Sequence, residues 1–156
     1  MILGIDPGVK GGMALLDEQG NVVNTCMFNG LKDVELAVIF REWRKYTGAL
    51  AYFPAFIEKV GHIKGDGAGG SFTFGRVYGL LRGLALGNGY TIHDVYPVLW
   101  QSTLGCMSGG NKNVTKGKAV ELFPQYHDQV PRGIGHGIAD ALLIAEYGRR
   151  IIQRGK

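Results

Sequence analysis

An apolar run that halts on Asp-Pro-Gly and restarts a few residues later commits the start of this chain to a hairpin. Ile2, Leu3 and Ile5 suit a buried strand, Asp6-Pro7-Gly8 supplies a turn, and Gly12-Met13-Ala14-Leu15-Leu16 resumes as a second strand. Asp6 is left at the mouth of the hairpin, facing the end of a sheet, where Gly8, Gly11 and Gly12 let a ligand approach the backbone closely. Taken alone, Asp-Pro-Gly is equally well ordinary turn chemistry. The residues downstream decide between the two.

Asp17 to Asn21 is a turn, and Val22 to Phe28 reads as a third strand, giving an antiparallel meander. Between Lys32 and Tyr46, Leu36, Ile39, Phe40 and Trp43 recur at helical spacing among charged residues, and Gly48 is placed to end that helix. Ala51 to Ile57 is a fourth, mostly apolar strand. Because it follows a helix, its partner in the sheet is expected to be parallel. It delivers Glu58 at its end. A strand-end carboxylate can simply mark where a strand meets water. Two of them on neighbouring strands repel each other unless a cation lies between, and hard divalent cations prefer such oxygen ligands.

Gly61 to Gly70 is a glycine-rich loop carrying His62 and Lys64, and Gly65-x-Gly67-x-x-Gly70 matches the dinucleotide fingerprint literally. The match lacks its context, a tight strand-to-helix turn followed by an acid at the right distance; Asp94 is not at one. A helix from about Ser71 to Leu86 follows. Gly75, Gly79 and Gly83 stand four apart on it, which predicts close packing along that stripe. Phe72 and Phe74 are core candidates by default, and Arg76 and Arg82 belong to a solvated face. Beside a loop with two cationic side chains, the same aromatics could stack on unpaired bases while the cations meet phosphates. Thr91 to Val95 makes a fifth strand and Pro97 to Leu104 a short helix. Thr115 is an N-cap candidate for a helix running to Phe123, around which Lys112, Lys116 and Lys118 form either a solvated patch or a phosphate contact. The last helix, about Ile134 to Gln153, carries Asp140 among small and apolar residues. His136 lies one turn before it on the same face. A histidine and an aspartate at this spacing, with two strand-end acids awaiting a cation, form half of a metal site. The basic tail, Arg149, Arg150, Arg154 and Lys156, reads most simply as solvated.

The 156 residues, 46% of them hydrophobic, suit one domain spanning residues 1–156. The alternation of strands and helices makes it an α/β chain. The 26 glycines lie among periodic apolar segments, so they suggest close backbone approaches rather than disorder. A net charge of +4 permits a polyanionic partner without requiring one. Cys26 and Cys106 lack metal-ligand spacing and are expected to be reduced thiols. No run approaches the ~18 apolar residues of a membrane span, and the first residues enter a strand without a basic leader. A cytoplasmic protein with no membrane partner is the expectation.

Taken together, GIDPG, FIEKV, the loop into SFTFGRVYGLLRG and HGIADALLIAEYG resemble, in that order over nearly the whole chain, the RuvC family of Holliday-junction resolvases, and its phage-borne members most. GIDPG alone would suit other ribonuclease-H-like proteins. The resemblance implies a ribonuclease-H-like mixed five-stranded sheet flanked by helices and a homodimer. It also implies cutting of four-way DNA junctions with two Mg²⁺ or Mn²⁺ ions per site, leaving 5′ phosphates. Asp6, Glu58 and Asp140 match the family's acidic metal ligands, and His136 takes the fourth place, where many bacterial members have an acid or histidine three residues before the final Asp. Here that position is Gly137. Lys116 resembles a family lysine near the scissile phosphate. Phe72 or Phe74 occupies the region where members use an aromatic to open the junction. His62, Lys64, Arg76, Lys112 and Lys118 are the remaining DNA-contact candidates. Two other readings stand beside this one: a non-catalytic branched-DNA-binding factor on the same fold, and a nucleotide-binding protein using the Asp-Pro-Gly hairpin as actin-like ATPases do, although those need two such domains and a much longer chain. Selectivity among junctions, forks and flaps is left open.

Overall fold

The computed structural model describes residues 1–48, 52–59, 67–126 and 136–155. Five strands form one mixed sheet: β1 (Ile2–Asp6), β2 (Gly12–Leu16), β3 (Val22–Met27), β4 (Pro54–Glu58) and β5 (Thr91–Val95), in the order β3-β2-β1-β4-β5. The meander β1-β2-β3 is antiparallel. β4 joins β1 in parallel, with Leu3 opposite Ala55 and Ile5 opposite Ile57, and β5 joins β4 in parallel. The crossover into β4 therefore has the expected direction. It brings two carboxyl-ended strands side by side, since Asp6 and Glu58 are each the residue after the last matched pair.

Helices cover both faces, so the central strands are apolar on both sides. Leu3 and Ile5 of β1 face α1 (Asp33–Arg44) and α2 (Ala68–Gly87), packing with Phe40, Trp43, Val77 and Leu81. Ile2 and the alternate residues of the other strands face α3 (Pro97–Leu104), α4 (Lys112–Leu122) and α5 (His136–Arg154). In α1, Glu35 accepts the Lys32 main-chain N–H at 2.6 Å, Asp33 and Glu35 complement the positive helix start, and Leu36, Phe40 and Trp43 face inward. α5 lies directly on the sheet: a Cβ at Gly4 would collide with the Ala141 carbonyl, and one at Gly137 with the backbone of Lys10 and Gly11. Only glycine lets helix and hairpin come this close.

Several sequence expectations shift. α2 starts at Ala68, three residues before Ser71, because the Ser71 N–H donates to the Gly67 carbonyl and closes the first turn. α4 is capped by Asn111, whose side chain accepts the Asn113 N–H at 3.0 Å; Thr115 sits inside the helix, buried, with its hydroxyl on the Lys112 carbonyl. The stripe Gly75, Gly79 and Gly83 does not pack as expected. Among the described residues nothing lies within 4 Å of a Cβ on any of the three, because Val77, Leu81 and Ala85 take the core-facing side. Arg149 and Arg150 are not a solvated tail. Both hold the buried carboxylate of Glu146. No described helix is long and apolar enough to cross a membrane.

Candidate active site

The carboxyl ends of β1 and β4 and the first two turns of α5 meet at one end of the sheet. β1 ends on Asp6, whose Oδ1 accepts the Gly8 N–H at 3.2 Å, so the Asp-Pro-Gly turn closes on the acid itself. β4 ends on Glu58, whose Oε2 accepts the indole N–H of Trp100 at 2.8 Å. Asp140 comes from α5, brought onto the hairpin by the Gly137 contact, and is 2% exposed. Its Oδ2 pairs with the Lys112 ammonium at 2.7 Å; among the described residues its Oδ1 is buried without a hydrogen-bond partner, as is Nδ1 of His136.

The three acids share one electrostatic environment. Burial, then the charges of Asp140 and Glu58, push the Asp6 carboxyl up to about 7, against the opposing pull of the Gly8 N–H and Lys112. Burial also raises Glu58, with Asp140 adding to it and the Trp100 hydrogen bond opposing it. Burial works against the Lys112 ammonium, but Asp140, Asp6 and Glu58 outweigh it and the net shift is upward. His136 is held down by burial and by Lys116 and Lys112, with Asp140 pulling the other way. Among the described residues, Lys112 is the cation that acts on all three acids, and it does not prevent the rise of Asp6 and Glu58.

Oxygen donors of this kind fit a hard divalent ion. The partnerless Asp140 Oδ1 and His136 Nδ1 are the two atoms such an ion would satisfy. As the side chains stand, however, no group of three or more histidine, cysteine, aspartate or glutamate residues among those described is drawn together closely enough to hold one. An ion would have to take over from Lys112 and pull the carboxylates inward.

The other sequence candidates fall into four groups. Lys112, expected on phosphate, sits on Asp140, while Lys116 is a turn further along α4, close enough to act on His136 electrostatically. Phe72 is 75% exposed near the start of α2; Phe74 leans on Tyr78, their rings 6.4 Å apart. Arg76 pairs with Asp33 and Lys118 with Glu121, surface contacts of the weak kind that phosphate can replace. His62 and Lys64 lie outside the described residues. Asp94, at the wrong distance in sequence for a dinucleotide fingerprint, is engaged by Tyr78 and Arg82. Sequence reasoning missed Trp100: a tryptophan in a short apolar helix signals core, and only the fold reveals which acceptor its N–H meets.

No protein-family model matches the sequence, and no curated protein does. Solved structures do match. Thermus thermophilus RuvC in complex with Holliday junction substrate superposes with a TM-score of 0.71 at 14% identity, covering 99% of this chain and 95% of that one. The chain has the RuvC-type ribonuclease-H-like fold. A structure described as Thermus thermophilus RuvC gives a TM-score of 0.64 at 12% identity over 96% of this chain and 95% of that one. The Fowlpox virus resolvase in complex with Holliday junction DNA gives 0.56 at 16% identity, covering 97% of this chain and 99% of that one. The match to RuvC thus runs over nearly the full length of both chains.

Proposed function

We propose that this protein is a metal-dependent endonuclease that resolves four-way DNA junctions, of the phage-borne RuvC kind. The observation that carries this reading is that Asp6, Glu58 and Asp140, from three separate elements, come near enough at one end of the sheet to raise Asp6 and Glu58 electrostatically. The support from outside is that two of the solved proteins sharing its fold were captured on Holliday junction DNA.

Asp6, Glu58, Asp140 and His136 would hold two divalent ions. When bound, Mg²⁺ or Mn²⁺ would activate water and stabilise the leaving oxygen of an in-line displacement. The water oxygen bonds to phosphorus as the bond to the 3′ oxygen breaks, leaving a 5′ phosphate and a 3′ hydroxyl. Within the chain, the Gly8 N–H holds one oxygen of the Asp6 carboxylate. Lys116 would meet the scissile phosphate, and Lys112, once released from Asp140, would contact a phosphate from the same helix. Phe72, the more exposed of the two aromatics, is the one able to stack on an opened base pair; Arg76, Lys118, His62 and Lys64 serve the phosphates. A homodimer presents one site to each of two symmetry-related strands, which is what paired nicks require.

The second reading, a branched-DNA-binding factor that does not cut, draws on the Lys112 ion pair: a lysine already neutralises Asp140 without a metal. One assay separates them. Synthetic four-way junction, fork and duplex are incubated with the protein with and without Mg²⁺ or Mn²⁺. Paired nicks with 5′ phosphates, on the junction and only with metal, are expected. Tight junction binding with no cutting in either metal would establish the non-catalytic factor instead.

A further inference from the structure

We infer that Trp100 is a positioning residue for the active site, holding Glu58 by one carboxylate oxygen and leaving the other for the ion. This deepens, and rests on, the metal-dependent reading of the site. Trp100 is 1% exposed and packs in the core formed by Ile2, Phe56, Val95 and Leu143, yet its Nε1 lies 2.8 Å from Glu58 Oε2. A buried indole N–H needs an acceptor, and a carboxylate makes the stronger, charge-assisted kind of hydrogen bond. The ring cannot move without disturbing the core, so the bond fixes where Glu58 points. Because Oε2 is spoken for, Glu58 offers Oε1 to an ion as a single-oxygen ligand. Asp6 is treated alike: Oδ1 is tied to the Gly8 N–H, leaving Oδ2. Each strand-end acid is thereby anchored by one oxygen from behind, one through the backbone of its own turn and the other through α3. Such partners behind a metal ligand commonly govern affinity as strongly as the ligand itself.

Two experiments on the full chain test this. Trp100→Phe keeps the apolar ring and removes only the N–H. Its Mg²⁺ affinity, measured by calorimetry, should fall about tenfold or more, while its circular dichroism spectrum stays native. Unchanged affinity in the folded variant would overturn the inference and reduce Trp100 to a core residue. If no Mg²⁺ binds the unmodified protein either, the metal-dependent reading itself fails and the inference falls with it. The second experiment needs no Trp100 variant, so it stands even if Trp100→Phe does not fold. The chain has two tryptophans, Trp43 and Trp100, hence two indole N–H signals in a proton–nitrogen NMR spectrum. Glu58→Gln and added Mg²⁺ should each shift one signal and leave the other in place. Two signals that ignore both changes would overturn the inference.

Discussion

Helix α5 buries two carboxylates less than two turns apart, and the protein treats them in opposite ways. Glu146 has both oxygens satisfied: Arg149 donates to Oε2 at 2.6 Å and to Oε1 at 2.9 Å, and Arg150 donates to Oε1 at 2.7 Å. Burial works against its charge, but the two guanidinium groups prevail and hold it below the usual carboxylate range. Arg149 and Gln153 also reach the Glu18 carbonyl, fastening the helix end to the β2–β3 turn. Among the described residues, Asp140 has one lysine, itself 55% exposed, and an oxygen with no partner. Its neighbours Asp6 and Glu58 are raised, not lowered. A carboxylate kept for structure is given its counter-charge by the fold. The three acids proposed for chemistry are left short of it, and that deficit is what a metal ion would fill.

The largest expected effect is on cutting. Asp6→Asn and Glu58→Gln should each lower junction cleavage by about 10³-fold, with junction affinity in a gel-shift assay unchanged. Cleavage at the normal rate in either variant would place that acid with Glu146.

The next effect is on stability against pH. Asp6 has an ordinary value of 3.8 and is raised to about 7, so the folded, metal-free protein keeps a proton that the unfolded chain has already lost. The contribution is present below pH 3.8 and lost as pH rises through 7, at a cost of roughly 2–4 kcal/mol. Urea melts of the metal-free protein at pH 4, 5.5 and 7 should show Asp6→Asn gaining on the unmodified chain as pH rises. A constant difference across the three would mean that the cluster is already balanced.

A smaller effect belongs to Lys112. Lys112→Met leaves Asp140 buried without its ammonium and should lower metal-free stability by about 1–2 kcal/mol. Millimolar Mg²⁺ should recover most of the loss in a thermal melt. Failure of Mg²⁺ to recover it would show that lysine and metal do not share the position.

The acids were legible in the sequence because each announced itself locally: Asp6 and Glu58 by ending apolar strands, Asp140 by interrupting an apolar helix. So were the antiparallel meander and the parallel pairing of β4, since a strand that returns through a helical crossover pairs in parallel; the order of the strands in the sheet was not. What the acids pair with was less legible. The Lys112–Asp140 and Trp100–Glu58 contacts join residues 28 and 42 positions apart, and no local pattern encodes them. Gly137, which looks like a missing ligand, is explained by the Gly11 backbone it touches. The Glu146 pairs are a different kind of miss: Arg149 and Arg150 stand three and four residues after the acid, a helical spacing visible in the sequence and overlooked there in favour of a solvated tail.

The most direct test sets the two buried acids of α5 against each other, measuring melting temperature and junction cleavage for Asp140→Asn and Glu146→Ala. Asp140→Asn should melt at or above the unmodified temperature and cut no junction. Glu146→Ala, which strands two arginines, should lose about 2–3 kcal/mol and, below its melting transition, cut at the normal rate. An Asp140→Asn protein that cuts normally, or one that is destabilised as much as Glu146→Ala, would contradict the account.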